Sequence, residues 1–143
     1  MAKIPYILII DDDPEDAEMV AEQFRRKHDH ALVRCFSDSE RAFKFLEAQQ
    51  IDDLPLVLIT DYQMPTLSGV ELLKLLRRDH KYDYLAKVVL STSQNVTHSE
   101  ECLRNGADKY LVKPDDMEKL NDVVERLSEL YLQRIMTVAG FIA

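Results

Sequence analysis

Only two cysteines occur in the chain, Cys35 and Cys102, and they lie far apart with no CxxC pair. A disulfide or zinc framework needs more thiols at closer spacing, so neither is supported. Each cysteine has apolar neighbours, which predicts two small hydrophobes packed in a core. Long apolar runs are missing as well. No stretch approaches the roughly 18 residues of a membrane span. The first ten residues hold one Lys and an apolar run too short for a signal peptide, so the chain is read as cytoplasmic. Positive charge is also scarce. With 18 Lys and Arg against 26 Asp and Glu, the net charge is −8. Phosphate backbones and anionic lipid repel such a chain, which excludes a general nucleic-acid or membrane-surface binder. There is no internal repeat, no low-complexity tract and no long linker. With 143 residues and 46% hydrophobic content, the chain suits one domain around one core.

What is present is an alternation. YILII (6–10) is a continuous apolar run, the mark of a strand buried on both faces. From Pro14, the residues Ala17, Val20, Ala21 and Phe24 fall at helical spacing, with proline in the first turn. ALVRCF (31–36) reads as a second, weaker strand, and residues 37–39 offer caps for a helix with Ala42, Phe45 and Leu46 on its apolar face. LVLIT (56–60) is the third strand, and Ser68 can cap the helix carrying Val70, Leu73 and Leu76. KVVLSTS (87–93) is the fourth, followed by a short helix that stops at Asn105-Gly106. KYLVK (109–113) is the fifth, and a last helix carries Leu120, Val123, Val124, Leu127, Leu130 and Tyr131 on one face. Five βα units with short connections predict a doubly wound parallel α/β sheet. In such sheets ligands sit beyond the carboxyl ends of the strands.

Those ends carry Asp11, Asp12 and Asp13 after the first strand, Thr60 and Asp61 at the third, Ser91 and Thr92 at the fourth, and Lys113 at the fifth. Taken alone, a DDDP run is a helix cap with first-turn charges, and a lone Asp or Lys is a turn residue or a solvated charge. Together at one sheet edge they suit something else. Two or three carboxylates favour a hard divalent cation such as Mg²⁺, which would offset the repulsion among the aspartates. A carboxylate beside it can act as a nucleophile toward a phosphoryl group, with the metal, a lysine and a hydroxyl neutralising the developing charge.

IIDDDPED, LVLITDYQMPTLSGVELLKLLR, VVLSTS and GADKYLVKP together closely resemble the receiver domain of bacterial two-component response regulators. The spacing supports this: 30 residues separate Asp61 from Ser91, 22 separate Ser91 from Lys113, and Gly69 follows Asp61 by eight. The resemblance covers nearly the whole chain, taken as a receiver domain over residues 4–131 with an apolar extension over 132–143. It implies a flavodoxin-like (βα)5 fold with strand order 2-1-3-4-5. Asp61 would accept a phosphoryl group from the phosphohistidine of a sensor histidine kinase or phosphotransfer protein. Asp12 would hold Mg²⁺ (or Mn²⁺) directly and Asp11 largely through water, with Asp61 and the main-chain carbonyl of Gln63 as further ligands. Lys113 would bind a phosphoryl oxygen, with a cis bond to Pro114. Ser91 would swing toward the phosphoryl group and draw Tyr110 inward as the switch, altering a face of helix four, strand five and helix five for a protein partner. Asp13 would be only a helix cap.

Four positions depart from the commonest pattern. Thr60 is polar before the acceptor, Thr92 is bulkier than usual after the switch hydroxyl, and Gln63 and Ser93 stand where the family tunes phosphoryl lifetime. Tyr110 is equally readable as a half-buried edge tyrosine. Two rivals remain. One is an aspartate-nucleophile phosphatase of the haloacid-dehalogenase type, with Asp11 and Asp13 as a DxD and Asp115-Asp116 behind. It leaves Asp61 without a role. The other is a receiver-like module that acts without phosphorylation. Few residues follow Lys113, so the expected product is a single-domain regulator rather than a turnover enzyme. Its tail, LQRIMTVAGFIA (132–143), is either a frayed end of the last helix or a hydrophobic contact with a second subunit.

Overall fold

Each apolar run forms a strand in the computed structural model, which describes residues 4–138. The strands are β1 (Tyr6–Ile10), β2 (Leu32–Phe36), β3 (Val57–Thr60), β4 (Ala86–Ser91) and β5 (Lys109–Val112). The helices between and after them are α1 (Pro14–Lys27), α2 (Ser39–Ala48), α3 (Gly69–Arg77), α4 (Val96–Arg104) and α5 (Met117–Val138). All pairings are parallel, in the order β2-β1-β3-β4-β5, as the resemblance implied.

Strand side chains alternate between faces, so the sheet feeds two cores. Ile7, Ile9, Val57, Ile59, Val88 and Leu90 point to one side, under α1 and α5. Leu8, Ile10 and Leu58 point to the other, under α2 and α3. The helical stripes read from spacing are the buried ones: Ala17, Val20, Ala21 and Phe24 in α1, and Leu120, Val123, Val124, Leu127, Leu130 and Tyr131 in α5. A smaller cluster of Val70, Leu73, Val89, Cys102 and Ala107 fills the space between α3 and α4, with Tyr62 and Tyr110 against it.

Helix ends follow the local chemistry. Asp13 caps α1, accepting N–H bonds from Glu15 and Asp16. Ser68 and Glu71 form a reciprocal capping box on α3. Gly106 takes φ +104° after α4, a left-handed conformation that disfavours a side chain. Within residues 37–39 the cap of α2 is Asp38, whose carboxylate takes the Glu40 and Arg41 amides. Ser39 instead turns its hydroxyl to Thr66 and the Leu67 carbonyl.

Three expectations need correction or limits. Cys102 is buried but Cys35 is exposed, because β2 is an edge strand with its outer positions uncovered. The Lys113–Pro114 bond is not cis; trans is the intrinsically favoured isomer of an X–Pro bond by about 0.5–1 kcal/mol. Finally, of the tail 132–143 the residues up to Val138 are a continuation of α5, with Ile135 against the core and Leu132 and Met136 exposed. Residues 139–143 of the tail lie outside the described residues.

Candidate functional site

The hydrogen-bond ladder runs one residue past three of the strands. Asp11 donates its N–H to Phe36 O (3.0 Å), Asp61 to Ile10 O (3.0 Å) and Lys113 to Ser91 O (2.8 Å). Neighbouring strands therefore hold the backbones of these three residues at one edge of the sheet. Their side chains meet there. One carboxylate oxygen each from Asp11, Asp12 and Asp61 lies within 4.8 Å of the others. The Lys113 ammonium closes the cluster, with Nζ 2.8 Å from Asp11 Oδ2 and 3.1 Å from Asp61 Oδ2. A third carboxylate, Asp16 Oδ2, reaches the same ammonium at 2.9 Å.

Two of these acids are oriented by the backbone. Asp11 Oδ1 accepts the Asp13 N–H at 2.9 Å, and Asp61 Oδ1 accepts the Tyr62 N–H at 2.7 Å. Each thus offers its second oxygen to the lysine. The Lys113, Asp11 and Asp61 side chains are only 10%, 6% and 13% exposed, so water screens them weakly. Burial pushes the Asp11 carboxyl above its ordinary range, against the opposing pull of Lys113. Burial alone would lower the Lys113 ammonium, but hydrogen bonds to Asp11 and Asp16 hold it above the usual lysine range.

The loop after β3 is drawn tightly around Asp61. Thr60, buried at the strand end, donates its hydroxyl to the Asp61 carbonyl (3.1 Å). The Gly69 N–H returns to Tyr62 O at 2.8 Å. A Cβ at residue 69 would stand 2.5 Å from the Asp61 carbonyl oxygen, so only glycine permits this approach. A cleft of about 480 Å³, lined by Asp12, Gln63, Met64, Pro65 and Ser68, opens beside the acids.

On the other side lies the β4–α4 loop. Ser91 is buried, and its Oγ accepts the Ser93 N–H (3.0 Å), so its own loop engages it. Thr92 is exposed. Tyr110, half-buried on β5, donates its hydroxyl to Ser93 O (2.8 Å). Ser93 Oγ also bonds His98 Nδ1 (2.7 Å). His98 stacks on Tyr62 with centroids 4.6 Å apart, and the Tyr62 hydroxyl donates to Glu101. Burial and the Glu101 carboxylate push the Tyr62 phenol up to about 12.

Asp11, Asp12, Asp61 and Lys113 are therefore brought together, with Gln63 at the adjoining cleft and Ser91, Ser93 and Tyr110 in one neighbouring network. Asp13, Asp115 and Asp116 are engaged elsewhere. Asp13 is the α1 cap, Asp115 pairs with Lys119 at 2.8 Å, and Asp116 caps α5 through the Lys119 N–H. Sequence reasoning gave no role to Asp16, Tyr62, His98 or Glu101. For Asp16 the available signal was its place in the first turn of a helix that starts at this sheet edge.

Three clustered carboxylates against one ammonium leave an excess of hard oxygen donors and negative charge. That donor set fits Mg²⁺ with part of its hydration shell.

Residues 7–125 match the response regulator receiver domain. The chain is 33% identical over 113 residues to the heme response regulator HssR of Staphylococcus saprophyticus, covering 79% of this chain and 46% of that protein. It is 31% identical over 110 residues to the two-component response regulator ORR11 of Oryza sativa subsp. japonica, covering 77% of this chain and 71% of that one. The chain thus spans about half the length of the first relative. Among solved structures, the receiver domain of the Francisella response regulator 1452 superposes with a TM-score of 0.75 and 26% identity, over 90% of this chain and 98% of that one. The acidic cluster and its lysine all fall inside the matched span, and the chain belongs to the response regulator receiver domain family.

Proposed function

We propose that this chain is a cytoplasmic response regulator that takes a phosphoryl group onto Asp61 from a histidine kinase or phosphotransfer protein. The observation that carries this reading is the Lys113 ammonium set between Asp61 (3.1 Å) and Asp11 (2.8 Å) beside Asp12. Receiver domains bind Mg²⁺ at an acidic pocket of this kind. Asp11, Asp12 and Asp61 would hold the ion, with the Gln63 carbonyl as a further ligand. When bound, it supplies positive charge against the incoming phosphoryl oxygens.

In the transfer, an Asp61 carboxylate oxygen attacks the phosphorus of a phosphohistidine. The new O–P bond forms as the N–P bond breaks, and the electron pair returns to the imidazole nitrogen. Lys113 donates N–H bonds to the phosphoryl oxygens as their charge develops. Ser91 would do the same by swinging its hydroxyl toward the group and away from the Ser93 N–H that it accepts, and Ser93 is the residue whose carbonyl Tyr110 holds. A phosphoryl group can thereby bias the loop between two arrangements. Thr92, exposed beside it, and Gln63 and Ser93 would tune access and lifetime.

The signal leaves through a protein contact rather than turnover of a substrate. Val96, Leu103, Val112 and Met117 are exposed apolar residues on α4, β5 and α5, which supports that face as the docking surface. Leu132 and Met136 on the extended α5 support a second-subunit contact. Deleting residues 132–143 should then lower the solution mass to that of a monomer. An intact chain that is already monomeric removes the dimer.

The decisive experiment is intact-protein mass after incubation with Mg²⁺ and acetyl phosphate. A gain of one phosphoryl group that needs Mg²⁺ and vanishes in Asp61→Ala is expected. A gain that survives Asp61→Ala but is lost in Asp11→Ala would make Asp11 the nucleophile and overturn Asp61 as the acceptor. No gain in the wild type would favour a module that acts without phosphorylation.

A further inference from the structure

A lysine ammonium has three N–H donors, and three carboxylates crowd that of Lys113: it donates to Asp16 at 2.9 Å and to Asp61 at 3.1 Å, and Asp11 pairs with it at 2.8 Å. Two of the three belong to the site that would hold the phosphoryl group. Asp61 is the proposed acceptor, and Asp11 lies in the carboxylate cluster with Asp12. Asp16 stands apart from that cluster. It comes from the first turn of α1, its side chain is 37% exposed against 6% for Asp11, and its carboxylate is spent on the lysine.

A phosphoryl group on Asp61 needs at least one of those N–H bonds. The bond to Asp61 passes naturally to the group that grows on the same carboxylate, while Asp11 faces the cation site. Asp16 is the anion whose hold on the lysine neither event relaxes. It pulls the ammonium toward α1 and offsets part of its charge where the phosphoryl oxygens arrive. The same negative charge adds to the field that attracts a divalent cation.

We propose that Asp16 is a positioning residue that competes with the phosphoryl group for Lys113, slowing phosphoryl capture while strengthening metal binding. This rests on the reading of Asp61 as the acceptor. Partial exposure means that solvent and salt screen Asp16, so it tunes the reaction rather than gating it.

The test uses the full chain as wild type, Asp16→Asn and Glu15→Gln. Asparagine keeps the shape and an oxygen acceptor for Lys113 but removes the charge. Glu15 is a first-turn acid at the same helix end and serves as the control for a general charge effect. Mg²⁺ affinity is measured by calorimetry, without any phosphodonor. The rate of phosphoryl gain from acetyl phosphate is measured by intact mass at saturating Mg²⁺. In that reaction an Asp61 oxygen forms a bond to phosphorus as the acetyl O–P bond breaks, and acetate leaves with the bonding pair.

Asp16→Asn is expected to gain the phosphoryl group about three- to tenfold faster and to bind Mg²⁺ about three- to tenfold more weakly, both differences shrinking at high salt. Glu15→Gln should leave both values near wild type. Opposite signs are the signature, because a damaged site loses both properties together. An unchanged or slower rate, or unchanged Mg²⁺ affinity, overturns the role of Asp16 and leaves Asp61 as acceptor untouched. A wild type that gains no phosphoryl group overturns both.

Discussion

Lys87 and Lys113 lie at opposite ends of the same parallel sheet, and both are nearly covered. Lys87 is the second residue of β4 and only 8% exposed, while Lys113 follows β5 with its side chain 10% exposed. Their partners differ in kind. The Lys87 ammonium donates to two neutral carbonyls, Tyr82 O at 2.8 Å and Leu85 O at 3.0 Å. The Lys113 ammonium meets three carboxylates. Burial pushes Lys87 below the usual lysine range, whereas hydrogen-bonded anions lift Lys113 above it despite burial. Neutral dipoles satisfy the donors of a buried ammonium without balancing its charge, and carboxylates do both. At the amino end of the sheet a lysine ties β4 to the turn before it. At the carboxyl end a lysine is the counter-charge of a site.

Removing each ammonium in turn should separate the two roles. Lys113→Met deletes a donor aimed at the phosphoryl oxygens, and such deletions cost about 10²–10³ in rate. Phosphoryl gain from acetyl phosphate, followed by intact mass, should slow by about that factor. Lys87→Met, at the far end of the sheet, should leave the rate within about twofold of wild type, since substitutions at distant sites act independently. A loss of more than about tenfold in Lys87→Met would break the division of labour and show that the two ends are coupled.

The contrast between these lysines also marks how far the sequence was legible. Strands β1, β3 and β4 announce themselves because burial on both faces demands unbroken apolar runs. The buried stripe of α1 was readable residue by residue, because the period of a helix alone sets which side chains share a face. Asp11, Asp12, Asp61 and Lys113 were readable as one cluster because a parallel sheet sends every strand's carboxyl end to the same edge. Cys35 was misread because neighbours along the chain say nothing of what lies beyond an edge strand. Asp16 was missed because it meets Lys113 across 97 residues, where the contact depends on how α1 starts beside the end of β5. The Tyr62–His98 stack has the same character, joining a loop to a helix that no local pattern pairs. Lys87 itself reads in sequence as an ordinary charge at the start of a strand. Only the fold reveals that the Tyr82 and Leu85 carbonyls close over it.

Stability is where Lys87 should declare itself, and by a smaller effect. Methionine fills a similar space but leaves both carbonyls without that donor, a loss of about 1–3 kcal/mol. Urea unfolding followed by far-ultraviolet circular dichroism would measure it. The dependence on pH then has opposite forms for the two lysines. The folded pKa of Lys87 lies below 10.5, so between that value and 10.5 the unfolded chain binds more protons and wild-type stability rises with pH. The cost of Lys87→Met should therefore grow as the pH is raised from neutrality toward 10.5. The folded pKa of Lys113 lies above 10.5, so its contribution is fully present below 10.5 and is lost only as pH climbs through the folded value. The cost or gain from Lys113→Met should be flat across the same window. If the cost of Lys87→Met shrinks instead, the charge on Lys87 is itself stabilising. Asp108 would be its source, since that carboxylate already holds the Lys87 backbone N–H at 2.7 Å and pulls the ammonium pKa upward.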